Sequence, residues 1–365
     1  MWNWQQKNWP NFIYNSATIE KFEKQFLLNC GIFIGSYDHI NTEDKNNFII
    51  DIISEEALRT SEIEGEYLNR ESVQSSIRRK FGLDTDNRKI SAAEQGIAEM
   101  MIDLYNNFSA SLSHNMMFNW HSMLTNGRRD LKQIGSYRTH EEEMQVISGP
   151  LHNPKIHFEA PPSKNINKEI KKFIEWYNNT APNSSNPLPP LARSSIAHLY
   201  FVSIHPFEDG NGRIARALAE KALSQNIGSP ALISISHRIQ KFKKLYYEML
   251  KLNNKSMEIT NWIEYFSKII LYSQQETQDR INFTIKKTKF YDRLRDQLNP
   301  RQAKVIARIF EEGLEGFKGG LSAENYINIT KTSRATATRD FQDLITKSAL
   351  IKKGERKFTR YYLNI

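Results

Sequence analysis

The chain has 365 residues, 50 Lys and Arg against 41 Asp and Glu, a net charge of +9 and a single cysteine. One cysteine, Cys30, excludes a disulfide framework, and no apolar run approaches the ~18 residues of a membrane span. The opening Met1-Trp2-Asn3-Trp4 lacks the basic and apolar regions of a signal peptide, so a soluble, cytoplasmic protein with no membrane partner is expected.

The length has room for one core of about 200 residues plus one or two smaller modules. Trp2, Trp4 and Trp9-Pro10 suggest an extended segment pinned on a neighbouring surface, and Ile19 to Ile34 has the spacing of an amphipathic helix, giving an N-terminal module over 1–44. A helix follows from Lys45 to Glu64, its apolar face made by Phe48, Ile49, Ile52, Ile53, Leu58 and Ile63, with Gly65 as its break. Read alone, Glu64 is a solvated charge near the negative pole of a helix. Further helices are expected over Ile90 to Phe108 and Asn115 to Leu124. The β-prone runs Val146-Ile147-Ser148-Gly149-Pro150 and Ile156-His157-Phe158 predict a hairpin.

Past a loop over Thr180 to Pro190, an apolar segment runs from Ile196 to Ile204. A second helical run, through Ile214, Leu218, Ala222 and Leu223, ends at Gly228. Between them lies His205-Pro206-Phe207-Glu208-Asp209-Gly210-Asn211-Gly212-Arg213-Ile214-Ala215-Arg216. A turn feeding a helix leaves the first backbone N–H groups without intrahelical partners, which makes an anion site. Gly210 and Gly212 allow close approach of a phosphate, and Arg213 and Arg216, three apart, lie on one helix face where their forks can neutralise a polyphosphate. Asp209 offers a hard oxygen for Mg²⁺, and His205, held out of the helix by Pro206, can accept a proton from a hydroxyl. A P-loop is excluded because no Gly-Lys-Ser/Thr is present, and the acidic series lacks the final Glu of a calcium loop.

These twelve residues resemble the Fic motif, His-Pro-Phe-x-Asp/Glu-Gly-Asn-Gly-Arg-x-x-Arg, at every specified position. The resemblance implies a mostly α fold, a Fic helical core over 45–272 with a short β-hairpin flap, and transfer of AMP from ATP to the Ser, Thr or Tyr hydroxyl of a target protein, with self-modification also open. In that reading His205 is the base and Asp209 the Mg²⁺ ligand, while Gly210, Asn211, Gly212 and Arg213 cradle phosphates and Arg216 binds the γ-phosphate. Thr60, Glu64 and Gly65 resemble the family's inhibitory pattern, Ser/Thr-x-x-x-Glu-Gly/Asn, which implies that Glu64 pairs with Arg216 and restrains the protein. Val146, Ile147, Ser148 and Gly149 resemble the flap over the nucleotide. Tyr246, Tyr247 and Asn254, on and behind a helix over Lys241 to Leu250, resemble the adenine pocket. Removal of AMP at the same site, transfer of another phosphate-containing group, and a mainly DNA-binding role stay open.

From Gln275 onward there are 19 Lys and Arg against 11 Asp and Glu, so the basic character belongs to the C-terminal quarter. Trp262 and Ile263 begin the last core helix, followed by a linker helix over 273–298. Helices are then expected over Arg301 to Glu312, Leu321 to Ile327 and, opened by Ser333, through Lys347, with β-prone runs over Ala349 to Lys353 and Lys357 to Leu363. Residues 299–365 resemble a winged helix-turn-helix, with Arg334, Thr336, Thr338 and Arg339 on the recognition helix and Lys352, Lys353, Arg356 and Lys357 on the wing; its partner is DNA or protein. Association into a homodimer is left open.

Overall fold

The computed structural model describes residues 1–83, 88–148 and 155–365. The chain is mostly helical with two small antiparallel hairpins, as its periodicity predicts. In chain order the elements are α1 (Ser16–Asp38), α2 (Thr42–Ile63), α3 (Arg70–Lys80), α4 (Ala92–Asn107), α5 (His114–Leu124), β1 (Gln145–Ser148), β2 (Lys155–Glu159), α6 (Ile166–Asn179), α7 (Pro190–Ile204), α8 (Asn211–Ile227), α9 (Ile235–Lys241), α10 (Lys243–Asn253), α11 (Thr260–Arg293), α12 (Pro300–Glu311), α13 (Ala323–Thr330), α14 (Arg334–Thr346), β3 (Leu350–Lys353) and β4 (Arg360–Leu363). The contacts divide them into two compact units, residues 1–34 with 45–277, and residues 35–44 with 278–365.

The larger unit is built around α7 and α8. Thirteen of the fifteen residues of α7 are buried, which explains why its sequence is apolar on nearly every face rather than amphipathic. Leu199, Ile196, Leu223 and Ala219 join Trp262, Phe266 and Ile270 of α11, with Ile19 and Phe26 of α1, in one core. The N-terminus of α7 is satisfied from outside: the N–H groups of Leu191 and Ala192 donate to the Glu23 carboxylate at 3.1 and 2.9 Å.

The opening tryptophans are part of this unit. The indole N–H of Trp4 donates to the Glu159 carbonyl at 2.6 Å, the ring of Trp2 meets Phe158 edge-on at 5.4 Å, and the Asn3 amide donates to Ser203 at 2.8 Å. The N-terminal segment therefore braces β2 and α7. Three helices have no counterpart among the expected elements, α3, α6 and α9, although Ile166, Ile170, Phe173 and Tyr177 repeat along one buried face of α6.

The smaller unit has its own core, in which Val305, Ile306 and Phe310 of α12 meet Tyr326 of α13, Phe341 and Leu344 of α14, and Leu350 of β3. Two boundaries differ from expectation. No break separates a last core helix from a linker helix near 272, because α11 runs 34 residues without a Gly or Pro. The last strand, β4, begins at Arg360 instead of Lys357, since Arg356–Phe358 form a 3₁₀ turn after Gly354 at φ +74°.

Candidate functional site

The helix ends at Ile204 because Pro206 disfavours helical geometry for His205, which adopts φ +51°, a left-handed conformation that turns the chain out of α7. The loop is closed by Asn211. Its side-chain oxygen accepts from Phe207 N–H at 3.0 Å and its amide donates to the Phe207 carbonyl at 2.8 Å. Asn211, expected in the phosphate cradle, is buried, and its side-chain amide holds the turn. Gly210, at φ +81°, caps α8, and a side chain at Gly212 would run into the Glu64 carboxylate.

His205 is half-buried and faces a cavity of ≈ 430 Å³ lined also by Glu64, Gly212, Val146, Ile147, Tyr247 and Asn254. Burial, reinforced by the Arg138 guanidinium, lowers its pKa to about 4, so the imidazole is neutral and able to accept a proton near neutral pH. Arg138, buried, donates to the His205 carbonyl at 2.8 Å and fixes this end of α7.

Arg216 is buried, and its Nε and Nη2 are held by α2 and its end. Its Nε donates to the Thr60 hydroxyl at 2.7 Å, and its Nη2 to the Thr60 carbonyl at 2.9 Å and to Glu64 Oε1 at 2.7 Å. Its Nη1 has no hydrogen-bond partner among the described residues. Burial opposes the charge of Arg216, and Glu64 more than offsets it, so its pKa is raised. Thr60 and Glu64, 156 and 152 residues from Arg216 in sequence, are thus brought into contact with it.

The remaining charges of the motif are paired as well. Arg213 donates to Glu66 at 2.7 Å, and Asp209 receives Arg128 at 2.6 Å and lies 3.6 Å from Arg213. Burial pushes the Asp209 carboxyl up, but Arg213 and Arg128 prevail and hold it below the usual range. Neither Glu66 nor Arg128 was singled out from the sequence, and neither carries a local signal that could have marked it. Glu208, at the variable position of the motif, accepts from Lys132 N–H at 2.9 Å and so ties the Arg128 loop to the motif.

Tyr246 is buried, its hydroxyl 3.0 Å from His198 Nε2, and burial raises its pKa to about 12; Tyr247 is 40% exposed and reaches the Ile63 carbonyl at 3.4 Å. The Asn254 side-chain oxygen has no partner among the described residues. In the β1–β2 hairpin, Val146 pairs with Phe158 and Ile147 with Ile156 across a register shift, and both Val146 and Ile147 are exposed. Ser148 ends β1, and Gly149 lies outside the described residues. No group of three or more metal-ligating side chains occurs among the described residues, and no helix among them is long and apolar enough to cross a membrane.

Residues 2–83 match a domain of unknown function (DUF4172), and residues 111–223 match the Fic/DOC family. A protein adenylyltransferase Fic of Drosophila mojavensis is 37% identical over 86 residues, 24% of this chain and 16% of that protein. The Drosophila virilis protein of the same name is 28% identical over 151 residues, 40% of this chain and 29% of that protein. The matched stretches thus span less than a third of these relatives. A Fic family protein from Desulfovibrio desulfuricans G20 superposes with a TM-score of 0.54 at 19% identity, over 97% of this chain and 98% of that one. A Fic domain containing signaling protein from Bacteroides thetaiotaomicron VPI-5482 gives 0.54 at 18% identity, over 73% and 97%. These two share the fold. With the motif loop, its two flanking helices and these matches together, the chain carries a Fic/DOC domain homologous to that of the protein adenylyltransferases.

Proposed function

We propose that the protein transfers AMP from ATP to a hydroxyl side chain of a target protein and is restrained by Glu64. The observation that carries this reading is the contact between Glu64 and Arg216 beside a cavity into which a neutral His205 faces. His205 takes the hydroxyl proton as the acceptor oxygen bonds to the α-phosphorus and pyrophosphate leaves. The first N–H groups of α8 and Arg213 hold phosphate oxygens, and the adenine lies toward Tyr247 and Asn254, whose free oxygen suits an exocyclic amine. The donor set fits Mg²⁺ carried with the nucleotide: Asp209 is a single, partly exposed carboxylate, as suits an ion whose other ligands are phosphates and water. Bound there, the ion neutralises charge on the phosphates. Glu64, on the fork of Arg216, excludes the γ-phosphate and leaves the α-phosphate misaligned.

The test is mass spectrometry of lysate proteins after incubation with labelled ATP and the Glu64→Gly chain, alone and with His205→Ala. Label on target proteins that disappears with His205→Ala is expected. Absence of label in Glu64→Gly, with release of AMP from premodified proteins by the unaltered chain, would replace this reading with deadenylylation.

We propose a second activity, DNA binding, for the C-terminal unit. Arg334, Thr338 and Arg339 lie exposed on α14, and Lys352 and Lys353 exposed on β3. We read this unit as a winged helix in which α14 enters a major groove and the hairpin lies along the phosphate backbone.

A further inference from the structure

Resting on the nucleotide reading of the site, we infer that Arg128 and Glu66 stand in for the metal ion and for a phosphate, so that a metal–nucleotide complex enters by displacing both. Asp130, Arg128, Asp209, Arg213 and Glu66 form a chain of alternating charges across the motif. Arg128 Nε and Nη2 hold the two oxygens of Asp130 at 2.7 and 2.6 Å, and its Nη1 holds Asp209 Oδ2 at 2.6 Å. Asp209 lies 3.6 Å from Arg213 Nη2, and Arg213 Nη1 holds Glu66 at 2.7 Å.

The backbones of Arg128 and Glu66 are held in place. Arg128 N–H donates to the Thr125 carbonyl at 3.0 Å, and four to five residues on, Glu208 of the motif accepts from Lys132 and Gln133 N–H at 2.9 and 3.4 Å. Glu66 N–H donates to the Ser61 carbonyl at 3.0 Å after Gly65 has turned the chain at φ +87°. The turn places Glu64 and Glu66 on two different arginines of one helix.

The occupancy of Asp209 decides what must move. Its Oδ1 accepts Gly210 N–H at 2.6 Å and its Oδ2 accepts Arg128, so a hard cation reaches this carboxylate by taking the place of the guanidinium. Arg213 is 5% exposed and needs an anion beside it, which a phosphate supplies as well as Glu66 does. Glu66 and Arg128, 34% and 38% exposed, can rotate into water at small cost once replaced. One anion and one cation leave as a phosphate and a metal ion arrive, so entry of the two is coupled. This lock is separate from Glu64, which sits on Arg216. A nucleoside diphosphate, lacking the γ-phosphate, reads it alone.

The test is calorimetric titration of the full chain with ADP, with and without Mg²⁺, in the unaltered chain and in Glu66→Gln, Arg128→Gln and the double variant, together with Mn²⁺ binding followed by electron paramagnetic resonance. Each single change is expected to tighten Mg·ADP by about tenfold. Without metal, Glu66→Gln still tightens ADP and Arg128→Gln does not, while Arg128→Gln tightens Mn²⁺. Thermal melting establishes that each variant is folded. Unchanged or weaker Mg·ADP binding in Glu66→Gln, or no ADP binding in any variant, would overturn the inference. Weaker Mn²⁺ binding in Arg128→Gln would overturn it too. Label transfer by Glu64→Gly would survive either failure, and the affinities stand whether or not AMP is the group transferred.

Discussion

Arg216 makes three hydrogen bonds to α2 and the residue just past it, and only in the one to Glu64 is the acceptor charged too. Removing Glu64 leaves Thr60 to hold the guanidinium in place while its fork is opened to a phosphate. A charged hydrogen bond contributes roughly 1.5–3 kcal/mol, so Glu64→Gly should raise AMP transfer by about ten- to a hundredfold. Arg216→Gln in the same chain should cancel the gain, because both residues act through one contact and must couple in a double-mutant cycle. Rates of labelled-ATP incorporation in the four chains measure the coupling; additive effects would place Glu64 elsewhere in the mechanism. The inferred lock on Arg213 sets a further limit. Glu64→Gly frees one arginine only, so the full rate needs Glu66 displaced as well.

At the scale of elements, each functional side chain is aimed by a neighbour that does no chemistry. α7 is fixed at one end by Glu23 and at the other by Arg138, and this sets where His205 emerges. The β1–β2 hairpin is braced by Trp4 on the Glu159 carbonyl. In the C-terminal unit, α14 is capped by Ser333, whose hydroxyl accepts from Thr336 N–H at 3.2 Å, and Asp340 is drawn inward by Arg301 and Tyr326 at 2.9 and 2.8 Å. The outward face is left to Arg334, Thr338 and Arg339. If that face reads a duplex, the full chain should bind DNA with an affinity that falls steeply with salt, and Arg334→Ala with Arg339→Ala should reduce the slope by about two. Gel shifts across a salt series measure this. Binding that ignores both arginines would favour a protein partner for α14.

The balance between folded and unfolded chain depends on buried groups of opposite sign. Burial lowers the pKa of His121 from 6.5 to about 4 and holds that of His198 well below 6.5, with Arg216 adding to the effect on His198. Their stabilising contribution is complete above 6.5 and is lost as pH falls toward 4. Glu56 and Glu220 are shifted upward by burial, and their carboxyls stay protonated in the folded chain at pH values where the unfolded chain ionises them. For that pair stability falls as pH rises past the ordinary value of 4.5. Glu220→Gln removes one member of the pair without changing its shape. It should raise the urea midpoint above about pH 6 and leave it unchanged near pH 4. A uniform shift at every pH would assign the effect to packing instead.

The sequence by itself determined the helical character, the hairpin before the core, and the helix–turn–helix that carries His205 and Asp209, because each of these is written in neighbouring residues: an apolar run, a proline after the histidine, glycines at the turn. The positions of Thr60, Glu64, Arg213 and Arg216 were legible too, through the spacing within two short motifs. What those residues touch was decided by the tertiary structure. Glu64 meets Arg216 across 152 residues, Glu66 meets Arg213 across 147, and Arg128 meets Asp209 across 81. Glu66 and Arg128 have the local pattern of ordinary surface charges, and only packing, by bringing the end of α2 and the turn after α5 against the motif, makes them its counter-ions. Asn211 shows the same limit from the other side: its place in the motif does not reveal that its buried side-chain amide pairs with both backbone groups of Phe207 in the folded loop.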